Sequence, residues 1–330
     1  MKTMLFTKYG DPNVLHLEEL EKPSPKDNEI MVKIIITTVI IGDVMARRGV
    51  TRRNFNMPII LFPMVKLMFG LRKPKKNIQI LGSEFGGEIE SVGKNVEKFK
   101  PGDKVFGYRA DKFGANSEYL CIPEKGLVTT MPDDMTYDQV VPAIYGTLES
   151  YLLLKDRVKS GMKVLNIGAS GSIGGYGVQI AKYLGAEVTG ICSTGKERYV
   201  KDLGADKVID YKREDFFKSG ETYDVVFDIL GKNSFSRVKK ILNKNGRYVC
   251  ASFSTRKVSQ MIFHKLIRKS KRIVCAMAMD SPEDINKVKD LIESGRVKAI
   301  IDKTFSLEQL PEAHAYVEEG HKKGSIIITI

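Results

Sequence analysis

The clearest pattern of apolar and polar residues in the chain lies between residues 162 and 193. Its first apolar run, 164–167, is nearly continuous, which is typical of a parallel strand covered by helices on both faces. A turn rich in glycine and serine follows, and apolar residues then recur at helical spacing until Gly185 ends the helix. A second apolar run, 188–191, completes the pattern, which predicts one strand–helix–strand unit with parallel strands.

Strand and helix patterns of the same length continue to about residue 280. The segments 205–211, 223–231 and 272–279 each predict a strand, and helical spacing lies between the predicted strands. The segment 237–252 predicts a helix, a turn at its Asn-Gly pair and another strand. Strands that alternate with helices favour a doubly wound parallel sheet, the α/β architecture that is typical of Rossmann domains, over residues 145–280.

The two ends of the chain have a different pattern. Residues 1–20 alternate as a small hairpin, and short apolar runs separated by glycine turns between 81 and 132 predict a compact, bent sheet or partial barrel. A helix is predicted over 282–294, and the C-terminal run 324–330 is predicted to be a strand that returns to the first domain. The predicted domains are therefore 1–144 together with 281–330, and 145–280.

Composition fits two soluble domains. The chain has 330 residues, of which 42% are apolar, which is enough for a sizeable core. No apolar run is long enough to span a bilayer, and the N-terminus has no long apolar stretch of a secretory signal, so we expect a cytoplasmic protein. Cysteines 121, 192, 250 and 275 lie singly, without metal or disulfide spacing, which favours buried thiols.

The net charge of +13 comes from two segments, 47–76 and 232–272, which contain no Asp or Glu. Each also contains an apolar stretch, and the stretch at 54–71 is broken by Pro58 and Pro63. One hypothesis is a basic, apolar surface for an amphiphilic substrate or an anionic membrane. The alternatives are a solvated basic face, or a nucleic-acid or partner surface. Nucleic acid is not expected, because no RNA or DNA motif is visible and the aromatic residues do not interleave with the basic ones as stacking platforms would.

The glycine turn at 168–174 points to a dinucleotide. A helix N-terminus offers free backbone N–H groups to an anion, and glycine lets a pyrophosphate approach the main chain. Ala169 replaces the first glycine of the usual Gly-x-Gly-x-x-Gly pattern, whereas Gly171 and Gly174 keep their places. The second strand ends at Ser193 without the carboxylate that binds the NAD ribose, and Lys196 follows, which favours NADP.

Four stretches together carry a resemblance that covers almost the whole chain: 81–107, 168–193, 203–211 and 312–329. They resemble the medium-chain dehydrogenase/reductase superfamily, and most closely its zinc-less, quinone oxidoreductase-like branch. The resemblance implies a GroES-like partial β-barrel catalytic domain, a Rossmann domain that binds NADP, and a homodimer joined through the Rossmann edge strand, here 272–279.

By position, zinc-dependent members place zinc ligands where this chain has Ile40, Ser83 and Ala143. None of these side chains can bind zinc, so no metal is expected. Asp43 and Glu84 correspond to residues around the former zinc site, and we expect them to be structural, hydrogen-bonded to nearby backbone or to Arg47.

The resemblance also implies the cofactor contacts. A threonine packs on the nicotinamide, the glycine turn holds the pyrophosphate, three residues hold the 2′-phosphate and adenine, and the remaining positions lie beside the ribose and the nicotinamide ring. In this chain the positions are Thr147, Ser170, Gly171, Ser172, Ile173, Gly174, Ser193, Lys196, Tyr211, Ile229, Leu230, Ala251, Ser252, Gly324 and Ser325.

Without a metal, hydride needs an acceptor that requires little Lewis-acid help. A quinone or an α,β-unsaturated carbonyl fits that requirement, and the predicted function is NADPH-dependent reduction of such a compound. The alternatives are an alcohol or aldehyde dehydrogenase-type reductase, and a dinucleotide-binding protein that acts mainly through nucleic acid or a partner. No proton donor stands out in the sequence. Tyr145, Tyr108 and Asp43 are candidates by their neighbourhood only.

Overall fold

The computed structural model describes residues 1–51, 57–267, 270–275, 281–320 and 322–330. Parts of three predicted features lie outside the described residues: the apolar segment 54–71, the basic segments, and the end of the strand 272–279. No helix among the described residues is long and apolar enough to cross a membrane.

The described residues contain fifteen strands. Their bounds are β1 Lys2–Leu5, β2 His16–Glu19, β3 Glu29–Val39, β4 Glu84–Val92, β5 Lys104–Tyr108, β6 Tyr119–Pro123, β7 Val128–Thr130, β8 Lys163–Ile167, β9 Glu187–Cys192, β10 Lys207–Asp210, β11 Tyr223–Asp228, β12 Leu242–Cys250, β13 Arg272–Cys275, β14 Ile301–Ser306 and β15 Ser325–Thr329.

The same residues contain ten α-helices. Their bounds are α1 Ile41–Arg48, α2 Phe62–Phe69, α3 Tyr137–Val140, α4 Ile144–Leu154, α5 Ser172–Tyr183, α6 Glu197–Asp202, α7 Phe235–Val238, α8 Thr255–Leu266, α9 Asp284–Glu293 and α10 Leu310–Glu318. A short 3₁₀ helix, Ile59–Leu61, comes directly before α2.

The chain divides into two compact units. The first comprises Met1–Phe55, Pro63–Tyr145 and Asp280–Ile330, and the second comprises Asn56–Phe62 and Gly146–Met279. The predicted domain limits at 144/145 and 280/281 stay a prediction.

The first unit is built on a mostly antiparallel sheet of seven strands with the order β14-β15-β3-β4-β5-β7, and β6 pairs with the first half of β3. The predicted N-terminal hairpin is confirmed, because β1 and β2 pair antiparallel. The predicted return of the C-terminal strand is also confirmed: β15 pairs with β3, with Ile326 opposite Val39. One face of this sheet is covered by a core that includes Phe85, Val105 and Leu120.

The second unit is a six-stranded sheet with the order β10-β9-β8-β11-β12-β13, and every pairing in it is parallel. In the chain order of its own strands the sequence is 3-2-1-4-5-6, the order of a Rossmann sheet. The predicted strand–helix–strand unit is confirmed as β8, α5 and β9. In this order the chain reverses direction across the sheet between β8 and β11, where such sheets bind ligands at the carboxyl ends of their strands.

One local prediction was wrong. The Asn-Gly pair at 245–246 does not end a helix–turn–strand connection but lies inside β12. Asn245 adopts a left-handed conformation with φ 69°, and the pairing with β11 jumps from Leu242 opposite Tyr223 to Arg247 opposite Val225. Strand β12 continues on both sides of the Asn-Gly pair, so the extra residues form a bulge. The left-handed conformation of Asn245 is accommodated in this bulge.

Candidate functional site

The turn between β8 and α5 uses two of its glycines in different ways. A Cβ atom at Gly174 would lie 2.0 Å from the carbonyl oxygen of Gly168, so the fold itself requires glycine there. A Cβ atom at Gly171 would meet only that same oxygen, at 3.4 Å, and its backbone angles of φ −88° and ψ 172° suit any residue. Within the described residues, packing does not require glycine at 171, and the space in front of the helix is open there.

Two buried hydroxyls, one at the start of α5 and one on α4, lack hydrogen-bond partners among the described residues. No side chain caps the N-terminus of α5. The hydroxyl oxygens of Ser172 and Thr147 are buried and have no hydrogen-bond partner within the described part of the chain. A buried hydroxyl without a partner costs about 1–3 kcal/mol, so these two atoms fit a site that is completed by a bound polar group.

Helix α4 is fixed against α5, which sets the position of Thr147. The Ser150 hydroxyl donates to the carbonyl oxygen of Ile173 at 3.0 Å. A Cβ atom at Gly146 would lie 2.0 Å from the Tyr176 ring, so the two helices are in close contact there. Thr147 lies between Gly146 and Ser150 in the chain, and its side chain is fully buried.

Three predicted segments meet at the carboxyl edge of the parallel sheet. The Ile229 amide donates to the carbonyl oxygen of Ile167 at 3.4 Å, and the position of a Gly168 Cβ lies 3.6 Å from Leu230. The Ala251 amide donates to the Asp228 carbonyl at 3.3 Å, and a Cβ atom at Gly231 would lie 1.9 Å from the Ser252 carbonyl oxygen. The structure therefore brings 168–174, 229–230 and 251–252 to one edge.

The end of β9 gathers the three residues predicted for the 2′-phosphate. The Tyr211 amide donates to the carbonyl oxygen of Cys192 at 3.0 Å, and the Lys196 amide donates to that of Ser193 at 3.2 Å. The Tyr211 side chain is 54% exposed. These contacts place Ser193, Lys196 and Tyr211 around one strand end, open to a ligand on the Tyr211 side.

One carboxylate beside this strand end was missed by the sequence analysis. Asp210 is aligned with Cys192 on the neighbouring strand and accepts hydrogen bonds from the Thr194 hydroxyl, at 2.5 Å, and the Lys212 amide, at 2.9 Å. The Thr194 hydrogen bond holds the pKa of Asp210 below its usual range. Both oxygens of this carboxylate already accept hydrogen bonds. Its position beside the end of β9 follows from the strand register, which the sequence does not show.

A second group of candidate residues lies in the first unit, around two fully buried carboxyl groups. Asp43 accepts hydrogen bonds from the backbone amides of Ile40, at 2.8 Å, and Gly82, at 3.1 Å. Glu84 accepts from the Thr38 hydroxyl and, at 2.6 Å, from the Tyr145 amide. Burial raises the pKa of both carboxyls to about 7, and each hydrogen bond opposes that shift.

Two further groups belong to this cluster. The rings of Tyr108 and Tyr145 lie 5.7 Å apart, centre to centre. Lys322 interacts electrostatically with Glu84 and Asp43, and burial lowers the pKa of its ammonium group. The sequence analysis missed Lys322, because its distance from residues 43 and 84 in the chain gives no signal of this proximity.

Of the two kinds of partner expected for Asp43 and Glu84, backbone is confirmed, and Arg47 has other partners. Asp43 does bond to backbone, but Arg47 does not approach it. The fully buried Arg47 guanidinium donates to the Gly10 carbonyl, to His314 Nδ1 at 3.3 Å, and to the Glu318 carboxylate. Burial and this cation lower the pKa of His314 to about 3. Arg47 is therefore a structural cation that joins α1 to α10, because Glu318 supplies the nearest negative charge.

The last two predicted cofactor residues lie in the first unit and have structural contacts there. The Ser325 hydroxyl donates to the Pro142 carbonyl at 2.8 Å. A Cβ atom at Gly324 would lie 2.5 Å from the Ile300 carbonyl oxygen. Packing alone accounts for both residue types, and their role towards a cofactor stays a prediction.

The former zinc positions do not fit a zinc ion. Ile40 and Ala143 have hydrocarbon side chains, and the Ser83 hydroxyl donates to the Ala110 carbonyl at 3.2 Å. In the described part of the chain, no three His, Cys, Asp or Glu side chains are grouped as metal ligands. Zinc in proteins is bound by thiolate, imidazole or carboxylate, so this donor set does not suit it.

The raised pKa of Glu84 predicts a stability that falls as the pH rises from about 4 to about 7. In that window the folded state retains a proton that the unfolded state has released, so ionisation opposes folding. The shift corresponds to at most about 3 kcal/mol. Glu84→Gln, which cannot ionise but can still accept from the Tyr145 amide and donate to the Thr38 hydroxyl oxygen, should remove this component.

Urea unfolding at pH 5 and at pH 7.5 measures the effect. The control is Glu88→Gln, which changes an exposed carboxyl on the same strand. Asp43 contributes with the same sign, and His314, whose pKa burial lowers to about 3, contributes with the opposite sign below about pH 6.5, so some pH dependence will remain. An unchanged difference between the two pH values in Glu84→Gln would contradict the assignment.

Comparisons with known proteins agree with this architecture. The model of the alcohol dehydrogenase GroES-like domain matches residues 26–158, and the model described as zinc-binding dehydrogenase matches residues 203–328. The first match covers most of the first unit and the start of the second, and the second match covers the last part of the second unit and the C-terminal part of the first. The predicted resemblance to the medium-chain dehydrogenase/reductase superfamily, and to its quinone oxidoreductase-like branch, is confirmed by these matches.

Individual relatives align over nearly the full length. The chloroplastic quinone-oxidoreductase QR1 of Triphysaria versicolor is 29% identical over 99% of this chain and 98% of its own. The 2-methylene-furan-3-one reductase of Solanum lycopersicum is 27% identical over 99% of this chain and 79% of its own. The structure of Escherichia coli quinone oxidoreductase complexed with NADPH is 24% identical, with a TM-score of 0.82 and full coverage of both chains, and supports the fold.

Proposed function

We propose that this protein is an NADPH-dependent oxidoreductase that reduces a quinone or an α,β-unsaturated carbonyl without zinc. The observation that carries the proposal is the open space at Gly171, flanked by the unpartnered hydroxyls of Ser172 and Thr147 at an uncapped helix N-terminus. A dinucleotide pyrophosphate fits these groups, because it is an anion that accepts hydrogen bonds from backbone amides and hydroxyls. The names of the relatives supply the acceptor class.

The residues at the sheet edge would hold the rest of the cofactor. Ser170 and Ile173 complete the turn at the pyrophosphate, the loops at 229–230 and 251–252 would line the ribose and nicotinamide, and Thr147 would meet the nicotinamide. When bound, the reduced cofactor supplies a hydride. The protein's part is to place an acceptor within reach of it and to exclude water.

The charge at the end of β9 favours NADPH over NADH. No carboxylate ends this strand, and the nearby Asp210 already accepts hydrogen bonds from Thr194 and Lys212. Lys196 would supply a cation to the 2′-phosphate, with Ser193 as a hydroxyl donor and Tyr211 against the adenine.

Hydride addition to the β-carbon of an enone, or to a quinone, leaves an oxyanion that needs a proton. Asp43 and Glu84 have pKa values of about 7, so each holds a proton for part of the time at neutral pH. Both lie in the cluster with Tyr145 and Tyr108. We propose that a group of this cluster supplies the proton, and that the hydrogen bond from the Tyr145 amide to Glu84 holds the tyrosine beside this carboxyl.

The test is turnover of NADPH with a panel of quinones and enones before and after dialysis against EDTA. We expect acceptor-dependent oxidation of NADPH, equal rates before and after dialysis, and substoichiometric zinc in the active protein. A rate that falls on chelation and returns with zinc would contradict the zinc-independent mechanism. Cofactor binding without oxidation by any acceptor would favour a binding protein instead.

A basic apolar face on the second unit supports a peripheral contact with anionic membranes. This face is the exposed side of α8, with Phe263 58% and Leu266 75% exposed, together with Ile60 at 83%. The Ile59 amide donates to the Thr255 hydroxyl at 2.8 Å, which fixes the 3₁₀ helix to the start of α8. Exposed Arg256 and Lys265 add positive charge, which is complementary to anionic lipid headgroups.

Sedimentation with anionic phospholipid vesicles tests this contact. We expect binding at low salt that weakens as salt rises, because the electrostatic part is screened. Phe263→Ser combined with Leu266→Ser should abolish it, while the control Ile301→Ser, an exposed apolar residue of the first unit, should not. If the unaltered protein does not sediment with the vesicles at low salt, the proposed membrane contact is contradicted.

The homodimer and the cytoplasmic location stay predictions. A homodimer through β13 agrees with the position of this strand at the edge of the sheet. The cytoplasmic location rests on the sequence alone.

A further inference from the structure

Cys250 and Cys275, which the sequence analysis treated as single thiols, are placed side by side by the pairing of β12 with β13. The two residues are direct register partners on these parallel strands, so their side chains leave the same face of the sheet. Neighbouring strands lie about 4.8 Å apart. That spacing is within the roughly 4.4–6.8 Å between Cα atoms that a disulfide bridges.

The surroundings of the pair are polar and charged. The buried Lys257 of α8 places its Nζ 3.8 Å from the Cys250 sulfur and 3.0 Å from the Tyr248 hydroxyl. The Tyr248 hydroxyl in turn donates to Asp228 at 2.7 Å. A nearby cation stabilises a thiolate, so Lys257 makes this pair more reactive than thiols buried among apolar side chains.

The two sulfurs differ in access and acidity. Cys275 is partly exposed, whereas Cys250 is fully buried. A hydrogen bond from Cys250 and the charge of Lys257 lower the pKa of Cys275, and the interaction with Cys275 and burial raise that of Cys250. By contrast, burial raises the pKa of Cys121 and of Cys192 to about 11.

We propose that Cys250 and Cys275 form a redox-active dithiol that hydroperoxides oxidise to an intramolecular disulfide. The Cys275 thiolate attacks the O–O bond of the hydroperoxide, which forms an S–O bond and releases an alcohol after protonation. The Cys250 sulfur then attacks the Cys275 sulfur, which forms the S–S bond and expels hydroxide. The Cys250 proton converts that hydroxide to water, so two thiols and one hydroperoxide give one disulfide, one alcohol and one water.

The pair is connected to the loops assigned to the cofactor. Cys250 directly precedes Ala251 and Ser252, and Lys257 donates to the carbonyl oxygen of Gly231 at 2.6 Å. A disulfide that moves the end of β12 disturbs these contacts. This consequence rests on the proposed function: oxidation is expected to weaken NADPH binding about fivefold, the effect of one lost hydrogen bond.

The test treats the reduced full-length protein with one equivalent of tert-butyl hydroperoxide and maps its cysteines by mass spectrometry without reduction. We expect a Cys250–Cys275 linkage that dithiothreitol reverses, while Cys121 and Cys192 stay reduced. In Cys250→Ala, dimedone should trap a sulfenic acid on Cys275. In Cys275→Ala, Cys250 should not react, and the control Cys121→Ala should behave as the unaltered protein.

The proposal is overturned if Cys275 is oxidised no faster than Cys121, or if Cys275 is oxidised in the unaltered protein without linkage to Cys250. The linkage is read by mass alone, so it does not depend on NADPH binding. A disulfide that leaves NADPH affinity unchanged overturns the connection to the cofactor loops. Absence of NADPH binding in the reduced protein overturns the proposed function and not the dithiol.

Discussion

Gly174→Ala is expected to destabilise the fold severely, whereas Gly171→Ala is expected to leave the fold intact and to weaken NADPH binding. At 174 the added methyl group would lie 2.0 Å from a backbone oxygen, which no side-chain movement relieves, at a cost of about 3 kcal/mol or more. At 171 it meets only one protein atom, at 3.4 Å, but fills the space assigned to the pyrophosphate. We expect binding to weaken about 10- to 100-fold.

Thermal unfolding without ligand and NADPH titration separate the two effects. Each glycine is the control for the other, because both lie in the same turn and receive the same methyl group. Equal loss of stability in the two variants would contradict the different roles given to them. Unchanged affinity in a well-folded Gly171→Ala protein would show that the pyrophosphate does not approach this backbone.

The second large effect is expected from Lys196→Ala. A hydrogen-bonded charge on a phosphate contributes about 1.5–3 kcal/mol, so NADPH affinity should fall about 10- to 150-fold. NADH lacks the 2′-phosphate, and its affinity should change by less than about twofold. The preference of the protein for NADPH should therefore decrease or disappear.

Competitive titration with both cofactors measures the preference directly. Lys218→Ala, which removes an exposed lysine elsewhere in the same unit, is the matched control for the loss of one positive charge. If Lys196→Ala weakens NADPH and NADH equally, the lysine supports the strand end and does not select the phosphate. If it changes neither, the selectivity of the site lies elsewhere.

The fold could largely be predicted from the sequence, because strands covered on both faces leave continuous apolar runs and helices leave a period of their own. The run at 164–167 and the helix that ends before Gly185 appear in the structure as β8 and α5. The Asn-Gly pair at 245–246 was misinterpreted because a turn signal reports local backbone preference. Such a signal does not show whether the strand pairs with its neighbour on both sides of the turn residues. Here β12 pairs with β11 before and after the bulge.

The site was only partly predictable. The glycine spacing predicted a turn for a phosphate, but the different roles of Gly171 and Gly174 depend on distances to Gly168 that spacing does not contain. Strand register determines which residues become neighbours, and it placed Asp210 beside Cys192 and Cys250 beside Cys275.

Burial was equally invisible in the sequence. The two carboxyl groups of Asp43 and Glu84 acquire pKa values near 7 because the fold removes them from water. No local pattern around either residue encodes that change. The same holds for Lys322, which becomes part of the cluster only through tertiary packing.

The central claim is that the turn between β8 and α5 binds a phosphorylated nicotinamide cofactor. Calorimetric titration of the unaltered chain with NADPH and with NADH, run side by side, tests it most directly. The account predicts saturable binding of one NADPH per chain, at least tenfold tighter than NADH. No saturable NADPH binding, or tighter binding of NADH, would contradict it.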